Sequence, residues 1–219
     1  MVRFVRVLIC ALGAMTLMCS VAVARANPNP GIFPPHSSPY RIGYREWAAD
    51  WFEWAFEAPT SASPVLNPSI CGPGESSHAW MLGVSVGGAE TATCTVPKGK
   101  AIFVTPGGGF CSVKTDHVTG YRALRRCAIG FAAGATKVRL TVDGRRVRDI
   151  DNYYQVSRLI HLRLPKDNLF GVSAGADPAV VAGWFFLLRP LRPGDHTIVA
   201  SDVIPPGPAS VTFHIHVGS

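Results

Sequence analysis

Between Ala79 and Val217, apolar and alternating runs are cut at short intervals by Gly, Pro or Asp. The runs read AWMLGVSVG, TCTVP, KAIFVTP, KVRLTVDGRRV, RLIHLRLP, AGWFFLLRPL, HTIVASDV and SVTFHIHVG. Their period of two, or their unbroken apolarity, is that of strands. Asp143-Gly144, set between two β-rich runs, tolerates the positive φ angles of a tight hairpin turn. Gly183 to Leu188 is apolar on both faces, which places it centrally in a sheet. Eight such runs after one early helix predict a mainly β fold: an antiparallel β-sandwich or jelly roll with two helices, one before the strands and one inserted among them.

The early helix is carried by GYREWAADWFEWAFEAP, residues 43–59. Tyr44, Trp47, Ala48, Trp51, Phe52, Trp54, Ala55 and Phe56 cover an arc of about 200°, and Glu46, Asp50, Glu53 and Glu57 fall within about 60° of one another. The aromatic face predicts packing across a sheet. The acidic stripe sets like charges at spacings of three and four, with Glu57 at the end where the helix dipole disfavours it. A solvated face accommodates such a stripe; otherwise a cationic group faces it, either an arginine of the second helix or a bound cation or polar ligand. That second helix follows Thr119 as cap, with Tyr121, Leu124, Ala128 and Phe131 on one side and Arg122, Arg125 and Arg126 on the other. Gly130 and Gly134 weaken or end it.

The first 26 residues change which side chains count. Arg3 and Arg6 precede an apolar run from Val7 to Ala24, and Ala24-Arg25-Ala26 has the small-x-small form of a signal-peptidase site. Cleavage there makes Asn27 the mature N-terminus; an uncleaved anchor would sit near the lower length limit for a membrane span. The chain is therefore expected to have no membrane span after cleavage. Cys19 lacks the Leu-small-small context of a lipoprotein signal. The mature segment, residues 27–219, divides into a Pro-rich extended arm over 27–39 and a single domain over 40–219. Removing Arg3, Arg6 and Arg25 takes 21 basic and 14 acidic residues to 18 and 14, a formal +4 that is too mild for a nucleic-acid partner.

Cleavage also leaves Cys71, Cys94, Cys111 and Cys127, an even set in a chain bound for an oxidising compartment. Of three possible pairings, Cys71–Cys94 and Cys111–Cys127 each bracket a local loop. Zinc would require Cys-x-x-Cys or Cys-His spacings that the chain lacks.

The segments GYREWAADWFEW, CTVPKGKAIFVTP, VDGRRVRDIDNYY and LRPLRPGDHTI resemble successive motifs of a family of uncharacterised bacterial exported proteins that begin with a Gly-Tyr-x-Glu-Trp helix. The resemblance spans about residues 40 to 217 and implies a bacterial origin and an exported, β-rich body. It brings no catalytic or binding residues with it.

Other candidate chemistry is sparse, and no cofactor is expected. His214 and His216 alternate with apolar residues on the last strand, so their imidazoles share one face, and His196 on the preceding strand is a possible third metal ligand. Asp149 and Asp151 form one Asp-x-Asp, a loop signal before it is a calcium signal. PGGGF, residues 106–110, lacks the Lys-Ser or Lys-Thr of a phosphate loop and is expected as a flexible loop. Gly171-Val172-Ser173-Ala174-Gly175 has the letters of a nucleophile elbow, without a clear strand before it or helix after it. Two function classes follow. The favoured one is a non-enzymatic exported module that binds a partner, glycan or envelope component through its loops and the acidic side of the first helix, with Glu46, Asp50, Glu53, Glu57, Arg122 and Arg126 as candidate residues. The alternative is a periplasmic or secreted hydrolase using Ser173 or a carboxylate pair.

Overall fold

The computed structural model describes residues 27–29 and 31–218; the signal segment expected over residues 1–26 lies outside them. In chain order the strands are β1 (Gly72–Pro73), β2 (Ala79–Met81), β3 (Gly88–Val96), β4 (Ala101–Ser112), β5 (Thr136–Val142), β6 (Arg145–Arg146), β7 (Tyr154–Val156), β8 (Ile160–Leu164), β9 (Gly175–Leu188), β10 (Gly194–Ile204) and β11 (Gly207–Val217). The helices are α1 (Tyr44–Phe56), the short α2 (Val113–Asp116) and α3 (Tyr121–Ala132). The mainly β architecture with one helix before the strands and one among them is the one the sequence predicts.

One sheet has the order β1-β2-β4-β9-β7, with β8 also on β9; the other has the order β3-β11-β10-β5-β6. The apolar run of β9 is central, with β4 on one side and β7 and β8 on the other. Asp143 and Gly144 both take positive φ, 49° and 73°, in the turn between β5 and β6. Most pairings are antiparallel, and two run parallel: β3 with β11 and β2 with β4. Parallel neighbours cannot be joined by a tight turn, and here the chain leaves the sheet between them.

Residues of α1 and of both sheets form one core. Trp47 is fully buried and stacks on Phe103, which stacks on Phe185; Trp51 donates its indole N–H to the Leu82 carbonyl at 2.8 Å. A second cluster joins Leu124, Ala128 and Ala132 of α3 to Val180 and Ala182 of β9. Since Ala179, Val181 and Phe185 belong to the main core, alternation along β9 places α3 on the opposite face of the sheet.

Two local expectations for α3 are corrected. Its N-cap is Gly120, not Thr119, with no side-chain capping bond. Phe131 is 58% exposed rather than part of the packing face. The buried line runs through Leu124, Ala128 and Ala132 at a spacing of four, and Gly109 of β4 lets this small-residue line come close: a Cβ on Gly109 would lie 2.5 Å from Ala132 N. The Phe131 Cβ lies equally close to that position, and its ring faces the groove beside it.

PGGGF is likewise no flexible loop; it runs inside β4, with a register shift between Val104 and Gly107. Gly108 pairs with Gly183, and a Cβ on either would lie within 2.6 Å of the facing backbone. The arm over residues 27–39 docks on the body through the buried Ile32, which bridges to Leu188, and through Asn29, which exchanges two hydrogen bonds with the Arg148 backbone. Disulfides join Cys71 to Cys94 and Cys111 to Cys127. The first ties the segment entering β1 to β3 of the other sheet, and the second pins α3 to β4.

Candidate functional site

The acidic stripe of α1 has a cationic partner, and it is Arg158, in the link between β7 and β8. Its Nε donates to Glu46 Oε2 at 2.6 Å and its Nη2 to Glu53 Oε1 at 3.3 Å. Burial alone would lower the Arg158 pKa, but the two carboxylates outweigh it and raise it. Arg122, Arg125 and Arg126 are exposed and form no salt bridge among the described residues, because α3 lies across the sheet from α1. The expected pairing through Arg122 or Arg126 is thus corrected. Glu57 turns elsewhere, with Oε1 accepting from the Arg163 backbone N–H of β8 at 2.8 Å. Burial, then Glu53 and Glu75, push Asp50 up to about 6. Glu53 is also raised, by burial first and against the pull of Arg158. The carboxylate oxygens of Asp50, Glu53 and Glu75 lie within 4.8 Å of one another. Clustered acids define no ligand by themselves.

His196, His214 and His216 line one surface pocket of about 360 Å³ with Asp143 and Asp195, but among the described residues they form no cluster of three ligand atoms close enough to hold a metal. His214 and His216 project outward as expected, but the register pairs His196 with the buried Ile215. His196 Nδ1 meets Asp143 Oδ2 at 2.8 Å and its Nε2 meets the Arg192 carbonyl at 2.9 Å, while His216 Nδ1 meets Asp195 Oδ1 at 2.7 Å. Burial would lower the His196 pKa; Asp143 and the Arg192 carbonyl outweigh it, so it is raised.

Ser173 sits in irregular backbone that leads into β9, so a strand, and not the helix of a nucleophile elbow, follows it. Among the described residues no histidine bonds its hydroxyl, and its carbonyl accepts from Lys114 Nζ at 2.7 Å. The serine-hydrolase geometry is therefore not formed. Asp149 and Asp151 belong to a single helical turn, with Asp151 accepting from Trp184 Nε1 at 3.3 Å.

What the sequence analysis missed is a cavity of about 310 Å³ between α1, β4 and β10. Its wall is aromatic: Trp51, Phe52, Phe56, Phe110, Phe170 and Phe185. Phe56 and Phe170 stack at 5.1 Å and 8°, and Phe52 meets Phe56 at 4.3 Å. The bulged glycines of β4 leave space beneath it. Against this apolar surface stands Asp202 of β10, 3% exposed, with Oδ2 unpartnered among the described residues. Burial pushes its carboxyl up to about 6. The two lining hydroxyls are engaged internally: Ser85 with Gly87 and Glu90, and Thr105 with the Gly107 carbonyl. Among the described residues three other buried side-chain atoms also lack partners, one carboxylate oxygen and two indole nitrogens, but Asp177 keeps a bond from the Lys114 N–H, and Trp47 and Trp80 lie outside the cavity wall. A groove of about 670 Å³ adjoins the cavity, sharing Phe110, Phe170 and Ile204 with it and carrying the exposed Phe131.

A signal for Asp202 was present. Ile198, Ala200 and Asp202 alternate onto the inner face of β10, and an acid at the third position of such a row is buried.

No family model matches this chain, and no curated protein matches it. Among solved structures, that of PbICP-C in complex with falcipain-2 is similar at 13% identity and a TM-score of 0.24, covering 64% of this chain and 98% of that one. The solution structure of amebosin is similar at 15% identity and a TM-score of 0.19, covering 59% and 95%. At those scores the likeness bears on neither fold nor function.

Proposed function

We propose that the protein is a bacterial exported module, held by two disulfides, that binds a small molecule with a largely apolar body and performs no catalysis on it. The observation that carries this reading is the aromatic cavity with its one buried, unpartnered carboxyl: pockets of a few hundred Å³, mostly apolar with a few placed polar groups, are the usual form of small-molecule sites. The disulfides and the absence of a described helix long and apolar enough to cross a membrane fit export to an oxidising compartment. Within the envelope-ligand class expected from the sequence, the cavity favours a small amphiphile over a glycan, since its wall offers rings rather than hydrogen-bonding side chains.

The test is uptake of N-phenylnaphthylamine, a neutral dye that fluoresces in apolar surroundings. Saturable, one-to-one enhancement is expected from the parent protein, with loss in Ile204→Trp, which fills the passage shared by cavity and groove. Lack of saturable uptake by the correctly disulfide-bonded parent would sink the proposal.

A further inference from the structure

The cavity contains one charge and nothing to answer it. Asp202 is 3% exposed, no donor reaches Oδ2 among the described residues, and no Lys, Arg or His lines the wall. Other acids in the chain do have partners: Arg158 serves Glu46 and Glu53, His196 serves Asp143, and the buried Asp177 accepts from the Lys114 N–H, while Asp50, also without an ion pair, lies in the acidic stripe outside the cavity. A desolvated carboxylate is stabilised by a cation or by a proton, and a neutral donor leaves most of its charge uncompensated.

We propose that the cavity selects ligands with a cationic nitrogen on an apolar body, the nitrogen paired with Asp202 and the body enclosed by the aromatic wall. This inference rests on the small-molecule reading above and adds the ligand's chemical class. Two independent features point the same way. The carboxylate supplies a charge-assisted acceptor, and the faces of Trp51, Phe52, Phe56, Phe110, Phe170 and Phe185 are a surface on which an ammonium or its alkyl substituents are favoured over an anion. Asp202 is among the residues that line the cavity, so its carboxyl group stands at the wall such a ligand would meet. The Asp202 carboxylate itself fills the space left by the missing Gly107 side chain, which seats it at the cavity wall, and Gly108 and Gly109 line both the cavity and the adjoining groove. An anionic amphiphile meets an uncompensated like charge in a dry site and is excluded. The volume, about 310 Å³, suits an arylalkyl amine rather than a long-chain lipid, whose tail would have to extend into the adjoining groove.

The experiment is calorimetric titration of the disulfide-bonded protein with three matched probes at mildly alkaline pH: phenylbutylamine, phenylbutanol and phenylbutyrate. The amine is expected to bind about tenfold or more tighter than the alcohol, with the carboxylate weakest. In Asp202→Asn the ratio of amine to alcohol affinity is expected to fall to about one. Equal affinity of the parent for amine and alcohol overturns the inference, and so does an amine preference that survives in Asp202→Asn. Should that variant not fold, the comparison of amine, alcohol and carboxylate on the parent decides by itself. If the parent takes up N-phenylnaphthylamine but does not distinguish amine from alcohol, the cavity reading stands and the cation inference fails; if it takes up none of the four compounds, both fail.

Discussion

The carboxylate of Asp202 occupies the space that a side chain on Gly107 would need. A strand glycine and an inward-facing acid, 95 positions apart in a chain that pairs neither residue's strand with the other's, thus define the polar end of an apolar cavity.

Gly107→Ala should force the Asp202 side chain to move and cost about 1–3 kcal/mol. Gly183→Ala should cost more, because its new Cβ would meet the Gly107 carbonyl and the Gly108 backbone, which cannot rotate away. Denaturant titration of Gly107→Ala, Asp202→Ala and the double variant checks the contact. The expected result is that Asp202→Ala suppresses most of the Gly107→Ala loss; strict additivity would mean that the two sites do not touch.

Asp202 also predicts an unusual pH dependence. Its folded pKa is raised from 3.8 to about 6, so between those values the native state holds a proton that the unfolded chain has released. Its contribution to stability is therefore full below 3.8 and lost as pH rises through about 6. Relative to Asp202→Asn, the parent should gain about 2–3 kcal/mol on going from neutral pH to about pH 4. Parallel stability curves for the two proteins would show that the carboxyl is not desolvated.

Arg158→Gln should remove the cation that bridges the acidic stripe and leave Glu46, Asp50 and Glu53 facing one another. Discounted for partial exposure, the expected loss is about 1 kcal/mol at neutral pH and low salt. It should shrink with added salt and as pH falls, since Asp50 and Glu53 take up protons more readily than ordinary carboxyls. Arg122→Gln and Arg126→Gln should each change stability by less than about 0.5 kcal/mol. Thermal melts that reversed this order would return the stripe's partner to α3.

His196→Gln should be destabilising only on the acid side. The raised folded pKa means that the His196–Asp143 pair contributes fully below the ordinary histidine value of 6.5, and the contribution is lost as pH rises through the higher folded value. Asp143 is held low, against its burial, by the His196 hydrogen bond, so its own contribution is lost only as pH falls through that lowered value. Melting temperatures of parent and variant should differ near pH 6 and converge in alkali; a constant difference would assign the effect to packing.

The sequence by itself determined the local features. The helix at Tyr44–Phe56, the Asp143-Gly144 turn and the central place of the β9 run each follow from patterns within a few residues: periodicity, positive-φ tolerance and two-sided apolarity. The acidic stripe was legible too, but not its partner, because Glu46 and Arg158 are 112 residues apart and only the packing of α1 beside β7 and β8 joins them. Tertiary structure likewise decided which way α3 turns. The close approach over Gly109 brings in both Ala132 and the Phe131 Cβ, and it buries the alanine while the Phe131 ring lies in the exposed groove, although both fit the helical period. It decided the cavity as well. The glycines of PGGGF read alone as flexibility, and Asp202 reads alone as a strand acid. A site exists because the register shift in β4 sets one beneath the other inside an aromatic wall drawn from four separate segments of the chain, and burial then turns an ordinary carboxylate into a group that needs a partner.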